Sequence, residues 1–130
     1  MDPGVPLQRI LVVDDDEVIT DLLSETLRAQ RFQVDVARTT EEALPLILFH
    51  DYSGILLDLV LPDVNGLTLY RQIARRRPAL APRVIFVTGA LGGGEAGRFA
   101  RLVNNRVLMK PFDPDDVIDA VLSVVRRPEQ

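Results

Sequence analysis

Four apolar stretches of the sequence end in side chains that could bind a cation or a phosphate. Three aspartates at 14–16 follow "ILVV", Asp58 ends "GILLD", Thr88 ends "RVIFVT" and Lys110 ends "RVLMK". Carboxylates clustered at a buried edge are unfavourable unless a cation neutralises them. Oxygen ligands suit a hard ion such as Mg²⁺, which keeps several waters and works with phosphate. A carboxylate beside Mg²⁺ and an ammonium group is equipped to attack phosphorus, because the cations stabilise charge on the transferring group.

These side chains meet at one edge if the apolar stretches are parallel strands of a single sheet. Short apolar or alternating runs predict strands at 9–13, 33–37, 54–58, 83–88 and 106–110. Each strand is followed by a segment with helical periodicity, which gives five helices. Strict alternation predicts an α/β fold whose parallel sheet is covered on both faces. In such doubly wound sheets, ligands bind outside the carboxyl ends of the strands.

Capping residues and apolar spacing set the expected limits and buried faces of the helices. The second helix is expected to follow Thr39 or Thr40, with Pro45 bending it or shifting its start. Pro78 is expected to stop the third helix, and Asp113 to cap the last one. The side chains expected to be buried in the first, third and last helices recur at helical spacing: Ile19, Leu22, Leu23, Thr26 and Leu27; Leu67, Tyr70, Ile73 and Ala74; Val117, Ile118, Val121, Leu122 and Val125.

Composition bounds the class of protein. The chain has 130 residues and 47% hydrophobic residues, enough for one domain with one core. Its formal net charge of −4 argues against direct nucleic-acid binding, which needs a basic face. There is no cysteine, no apolar run of membrane-spanning length and no signal-peptide pattern at the start. We therefore expect a soluble, cytoplasmic protein without a membrane partner.

Four motifs, in this order and spacing, resemble the receiver domain of two-component response regulators. They are "ILVVDDD" at 10–16, "LLDLVLPDVNG" at 56–66, "VIFVTG" at 84–89 and "LMKPFD" at 108–113. The resemblance implies a flavodoxin-like sheet of strand order 2-1-3-4-5. It implies a receiver domain at 9–127 between an N-terminal tail at 1–8 and a C-terminal tail at 128–130. Similarity to receivers fused to hybrid sensor histidine kinases is suggested by "VTG", an "NN" pair and "MKPF".

The resemblance assigns a phosphoacceptor and a metal site. Asp58 would accept a phosphoryl group from a phosphohistidine of a histidine kinase or histidine phosphotransfer protein. Asp14, Asp15, Asp58 and the backbone carbonyl of Val60 would bind Mg²⁺, for which Mn²⁺ can substitute. The domain would be a signalling module rather than an ordinary enzyme, although it would catalyse its own phosphorylation and dephosphorylation. Phosphorylation would switch its interactions with partners.

Further roles follow from the same resemblance. Thr88 and Lys110 would contact the phosphoryl group, and Lys110–Pro111 would be a cis peptide bond. Asp16 is assigned to the N-cap of the first helix rather than to the metal. The resemblance also allows a homodimer through the face formed by the fourth helix, the fifth strand and the fifth helix.

The sequence departs from the family pattern in three places. Val107 stands where the family often has an aromatic switch residue, and Val60 stands where a polar side chain often tunes dephosphorylation. The segment from Gly89 to about Arg98 is unusually rich in glycine, which weakens helix formation. We therefore expect this segment to be mobile without phosphate and to become ordered on phosphorylation. This ordering would replace the rotation of an aromatic side chain that the family often uses as its switch.

Other interpretations compete with the receiver. Asp14 to Asp16 could be only a helix N-terminus, or could begin a haloacid-dehalogenase-type phosphatase with Asp14 as nucleophile and Asp16 as acid. Such phosphatases place their further acidic pair after the lysine, whereas Asp58 precedes Thr88. A degenerate receiver that binds partners without phosphorylation is a third interpretation, supported by Val107. The G-x-G-x-x-G at 92–97 lies away from its strand and is interpreted as a loop.

Overall fold

A five-stranded parallel sheet forms the centre of the protein. The computed structural model describes residues 7–63, 65–89, 98 and 103–125. The strand order is β2-β1-β3-β4-β5, with every neighbouring pair parallel. The strands are β1 (Arg9–Val13), β2 (Gln33–Ala37), β3 (Gly54–Asp58), β4 (Val84–Thr88) and β5 (Val107–Met109). The predicted strand positions and the flavodoxin-like order are therefore confirmed, with β4 and β5 slightly shorter than expected.

Helices connect the strands and cover both faces of the sheet. They are α1 (Glu17–Ala29), α2 (Thr40–Phe49), α3 (Gly66–Arg76) and the C-terminal helix α4 (Pro114–Val125). A 3₁₀ helix at Pro78–Arg83, which the sequence did not predict, leads into β4. The helix and glycine-rich loop expected between β4 and β5 fall on residues 89–102, of which the structure describes only Gly89 and Arg98.

Side-chain caps fix where the helices begin. Asp16 caps α1 and Thr39 caps α2, as predicted. Asp113 and Asp116 accept each other's backbone N–H groups at 3.1 and 3.2 Å at the start of α4. Pro45 lies inside α2, and the helix still begins directly after the Thr39 cap.

Alternate residues of each strand face opposite layers of core. One layer contains Leu11, Leu57 and Phe86 under α2 and α3, and the other contains Ile10, Leu56 and Ile85 under α1 and α4. This division follows from the two-residue period of a strand. Both faces of β3 and β4 are buried, so their sequences are continuously apolar rather than alternating.

The predicted helix faces need correction at several positions. Leu122 is 38% exposed, whereas Ala120 is fully buried beside Val121 in α4. In α3, Leu69 is fully buried, although the sequence analysis omitted it, while Tyr70 and Ala74 are only partly buried. In α1, the small polar residues Thr20 and Ser24 are buried, and Ile19, Leu22 and Thr26 are only partly buried. A broad apolar stripe on a helix does not determine which of two adjacent residues faces the core. Packing of the helix against the sheet determines this.

Among the described residues, no helix combines the length and apolar character that crossing a bilayer requires.

The corrected faces predict different costs for the same substitution. Leu69→Ala should lower the free energy of unfolding by about 3 kcal/mol, because it empties a fully buried position. Leu122→Ala should cost less than about 1 kcal/mol, because part of that side chain already contacts water. Urea denaturation of both variants measures the difference. Equal losses would contradict the placement of the two leucines.

Candidate functional site

The carboxyl ends of β1 and β3 bring three carboxylates together. These strands are neighbours, with Val13 beside Leu57, so Asp14 and Asp58 leave the sheet at the same edge. Oxygen atoms of Asp14, Asp15 and Asp58 lie within 4.8 Å of one another. Asp14 and Asp58 are 2% and 5% exposed, whereas Asp15 is open to solvent. We call this group the acidic pocket.

Lys110 supplies a positive charge to the acidic pocket. Its Nζ lies 3.4 Å from Oδ2 of Asp14 and 3.4 Å from Oδ2 of Asp58. Its backbone N–H donates to the carbonyl of Thr88 at 2.8 Å, which ties the end of β5 to the end of β4. The peptide bond between Lys110 and Pro111 is cis. Two buried carboxylates therefore share one ammonium group.

The two oxygens of Asp14 have different environments. Oδ1 accepts the backbone N–H of Asp16 at 2.9 Å. Oδ2 is buried without a hydrogen bond among the described residues, and its ion pair with Lys110 is long at 3.4 Å. A buried carboxylate oxygen without a hydrogen bond is costly, and a cation beside it would remove that cost. This unsatisfied oxygen and the oxygen-only donor set fit a hard divalent ion such as Mg²⁺.

Burial perturbs the titration of Asp58. The pKa of Asp58 is raised from 3.8 to about 6, chiefly by loss of solvation and in part by the charge of Asp14. The Val60 N–H, which donates to Asp58 Oδ1 at 3.0 Å, and the Lys110 ammonium group both act to lower this pKa. Burial also acts to lower the pKa of Lys110, but the Asp58 and Asp14 carboxylates outweigh it and raise that pKa. The pocket thus favours a proton on Asp58 or a cation beside it.

Thr88 and Val107 occupy neighbouring strands beside the pocket. Thr88 is buried at the end of β4, one residue after Val87, which pairs with Asp58 of β3. Val107 begins β5 opposite Phe86, and it is half-buried against the core layer that includes Tyr70. The Tyr70 and Phe86 rings meet edge to face with centroids 5.1 Å apart. Among the described residues, the pair of aromatic rings beside Val107 therefore comes from α3 and β4.

The Asp16 side chain caps α1 and does not join the acidic pocket. Its Oδ1 accepts the N–H groups of Val18 at 2.9 Å and Ile19 at 3.4 Å. The carboxylate cluster found among the described residues contains Asp14, Asp15 and Asp58 but not Asp16. The phosphatase interpretation needs Asp16 as an acid in the pocket, so the geometry favours the receiver arrangement.

Two residues near the pocket have structural roles that the sequence analysis missed. A Cβ at Gly66 would lie 2.3 Å from the Asp58 carbonyl oxygen, so only glycine allows α3 to start against β3. Asp63 accepts the backbone N–H groups of Thr40 and Glu41, both at 3.2 Å. The "NG" pair signals a turn, but nothing local to Asp63 indicates contact with a helix more than twenty residues earlier.

Comparison with known proteins gives a single family. The sequence model for the response regulator receiver domain matches residues 10–122. The chain is 34% identical over 124 residues to the transcriptional regulatory protein ResD of Bacillus subtilis, covering 94% of this chain and 50% of ResD. The chain thus spans about half the length of the curated relatives that it matches.

Solved receiver structures share the fold. A CheY-like response regulator receiver domain protein from Methanospirillum hungatei superposes with a TM-score of 0.83 at 30% identity, covering 92% of this chain and 94% of that one. The non-phosphorylated HemR receiver domain from Leptospira biflexa gives a TM-score of 0.81 at 32% identity, covering 95% and 99% respectively.

The raised pKa of Asp58 predicts a pH-dependent stability in the absence of metal. Between about pH 4 and pH 6 the native carboxyl keeps a proton that the unfolded chain has lost, so the free energy of unfolding should fall as pH rises. At pH 7, Asp58→Asn should raise the free energy of unfolding by roughly 1–3 kcal/mol. It should also reduce the change of this free energy between pH 4 and pH 6. Urea denaturation in a chelating buffer measures both effects.

A matched control for charge is Asp21→Asn, at an exposed position on α1. It should leave the slope between pH 4 and pH 6 unchanged. If Asp58→Asn and Asp21→Asn have the same free energy of unfolding at pH 7, the ionised Asp58 carboxylate does not destabilise the native state.

Proposed function

Because the chain belongs to the response regulator receiver domain family of two-component signalling, we propose that it accepts a phosphoryl group on Asp58. The observation that supports this most strongly is the placement of Asp58. It is a buried carboxylate with a lysine 3.4 Å away and two further carboxylates within 4.8 Å. The donor is a phosphohistidine of a histidine kinase or a histidine phosphotransfer protein.

The transfer is a displacement at phosphorus. An oxygen of Asp58 forms a bond to phosphorus while the N–P bond of the phosphohistidine breaks, and the bonding electrons return to the imidazole nitrogen. The products are an aspartyl phosphate and a neutral histidine after that nitrogen takes a proton from solvent. Asp58 must be ionised to attack, and Lys110 and the Val60 N–H group favour that ionised form.

The acidic pocket is also the proposed metal site. Asp14, Asp15 and Asp58 would hold Mg²⁺, or Mn²⁺ in its place, through their carboxylates and Val60 through its backbone carbonyl. When bound, the ion supplies positive charge that neutralises these carboxylates and the phosphoryl oxygens. The orphaned Oδ2 of Asp14 supports this assignment, because that oxygen is already desolvated and lacks a hydrogen-bond donor.

Lys110 and Thr88 hold the transferred group after the reaction. The Lys110 ammonium group lies between Asp14 and Asp58 and can pair with a phosphoryl oxygen without leaving the pocket. The Thr88 hydroxyl, at the end of the adjacent strand, can donate a hydrogen bond to a second phosphoryl oxygen. A phosphoryl group adds negative charge and acceptor oxygens, so it changes which groups Lys110 and Thr88 contact and thereby switches partner binding. The partner surface, including a homodimer through β5 and its flanking helices, stays a prediction.

Phosphorylation should occur at Asp58 alone. Incubation with a small phosphodonor and Mg²⁺ should add the mass of one phosphoryl group to the parent protein and none to Asp58→Asn. Intact-mass spectrometry under non-acid conditions measures this. Asp16→Asn is the control, since it neutralises a nearby aspartate whose carboxylate caps α1. Phosphorylation that persists in Asp58→Asn would refute the assignment.

Metal binding should depend on Asp15 more than on Asp16. Asp15→Asn should weaken Mg²⁺ binding at least tenfold, on the order expected when a charged oxygen ligand is lost. Asp16→Asn should change the affinity only a few-fold, because that side chain caps α1 instead. Calorimetric titration with Mg²⁺ measures both constants, and a larger loss for Asp16→Asn would reverse the assignment.

A further inference from the structure

Asp63 joins two parts of the chain that are distant in sequence. Its two carboxylate oxygens accept the first two backbone N–H groups of α2, from Thr40 and Glu41, each at 3.2 Å. The first amides of a helix have no partner inside the helix, and a carboxylate there is also favoured by the helix dipole. These bonds connect the loop after β3 to the start of α2.

The start of α2 also has a local cap, separate from Asp63. Thr39 already caps the helix, with its Oγ1 accepting the Glu42 N–H at 3.1 Å. Glu42 in turn accepts the Arg38 N–H at 2.8 Å, which completes a local capping arrangement. The contribution of Asp63 is therefore a long-range connection in addition to a cap.

The end of β2 and the start of α2 contact the chain on both sides of the acidic pocket. On one side, the carbonyl of Ala37 accepts the backbone N–H of Asp14 at 3.0 Å. On the other side, Asp63 holds the amides of Thr40 and Glu41. The chain from the end of β2 to the start of α2 is thus hydrogen-bonded on one side to Asp14, after β1, and on the other to the loop after β3.

The loop after β3 is held at its two ends by other contacts. Near Asp58, the Leu59 N–H donates to the Val87 carbonyl at 3.1 Å. At the far end, the Gly66 N–H donates to the Leu59 carbonyl at 2.9 Å, and Asn65 caps α3. Between these ends, Leu61 packs into the core, and Asp63 makes side-chain hydrogen bonds to another element.

We propose that Asp63 is a positioning residue: by binding the first two amides of α2, it fixes the loop that presents Val60 and Asp58 to the acidic pocket. This rests on the proposed function, because the quantity that it controls is the affinity of the pocket for a divalent cation. Asp63 does not contact the cation. It keeps the loops after β1 and β3 at the separation at which Asp14, Asp15 and Asp58 lie within 4.8 Å.

Three variants separate positioning from helix capping and from charge. Asp63→Ala removes the connection and one negative charge. Thr39→Ala removes a cap from the same end of α2 and leaves the loop after β3 untouched. Glu41→Gln removes one negative charge from the exposed first turn of α2 and keeps the backbone amide that Asp63 binds. Asp63→Asn, which keeps one acceptor oxygen, is the conservative variant should Asp63→Ala not fold.

Mg²⁺ affinity and amide exchange are measured on all four variants. Asp63→Ala should bind Mg²⁺ about tenfold more weakly, as for residues that orient metal ligands, and Asp63→Asn should lie between it and the parent. Thr39→Ala and Glu41→Gln should stay within about twofold of the parent. In metal-free protein, the Val60 amide, which donates to Asp58 Oδ1, should exchange about tenfold faster in Asp63→Ala but not in Thr39→Ala.

The two measurements also separate this inference from the proposed function. If the parent binds Mg²⁺ and Asp63→Ala binds it equally well with unchanged Val60 exchange, Asp63 is not a positioning residue, and the proposed function is unaffected. The same conclusion follows if Thr39→Ala weakens binding as much as Asp63→Ala does. If the parent neither binds Mg²⁺ nor accepts a phosphoryl group, the proposed function is wrong, and Val60 exchange alone decides whether Asp63 orders the loop.

Discussion

The burial of two carboxylates against one ammonium group is the constraint on which the rest of this structure depends. Asp14 and Asp58 are almost fully excluded from solvent, and Lys110 contacts both at 3.4 Å. One positive charge cannot compensate two negative charges in a medium that screens them poorly. The remaining cost is visible in the raised pKa of Asp58 and in the unsatisfied oxygen of Asp14. A protein that maintains such a site must stabilise it with the surrounding fold.

The parallel sheet provides that stabilisation through its backbone. Parallel strands deliver Asp14, Asp58, Thr88 and Lys110 to one edge, although they are far apart in the chain, and strand pairing fixes their relative height. The hydrogen bond from the Lys110 N–H to the Thr88 carbonyl sets where the lysine leaves β5. Gly66 allows α3 to begin against the Asp58 carbonyl, at a distance where any side chain would collide. Backbone contacts thus keep the charged side chains in place, and these contacts do not depend on whether the carboxylates are ionised.

The sequence predicted the parts of this structure that depend on local pattern. Strand positions, the caps of α1, α2 and α4, and the residues at the strand ends all follow from apolar periodicity and cap preference. The exact buried face was less predictable, since Leu69 and Leu122 differ in burial although both fit an apolar helical stripe. Asp63 could not be assigned at all, because its partners are backbone amides of a helix more than twenty residues away. Backbone amides are common to every residue, so a contact of this kind leaves no mark in the sequence.

The same charge imbalance explains how the site could act as a switch. A group that adds charge to a fully balanced pocket would only break existing pairs, whereas in this pocket one ammonium group serves two carboxylates and Oδ2 of Asp14 has no hydrogen bond among the described residues. A cation bound there would offset the unfavourable burial of the Asp14 and Asp58 carboxylates and so stabilise the folded state. This stabilisation is available to order the loops that carry these residues, since their positions depend on contacts with neighbouring elements rather than on the sheet alone. In this pocket, a lower stability of the free protein is thus linked to a stronger response to added charge. The Lys110 ammonium group, which is shared between two carboxylates, determines how much of the negative charge remains uncompensated.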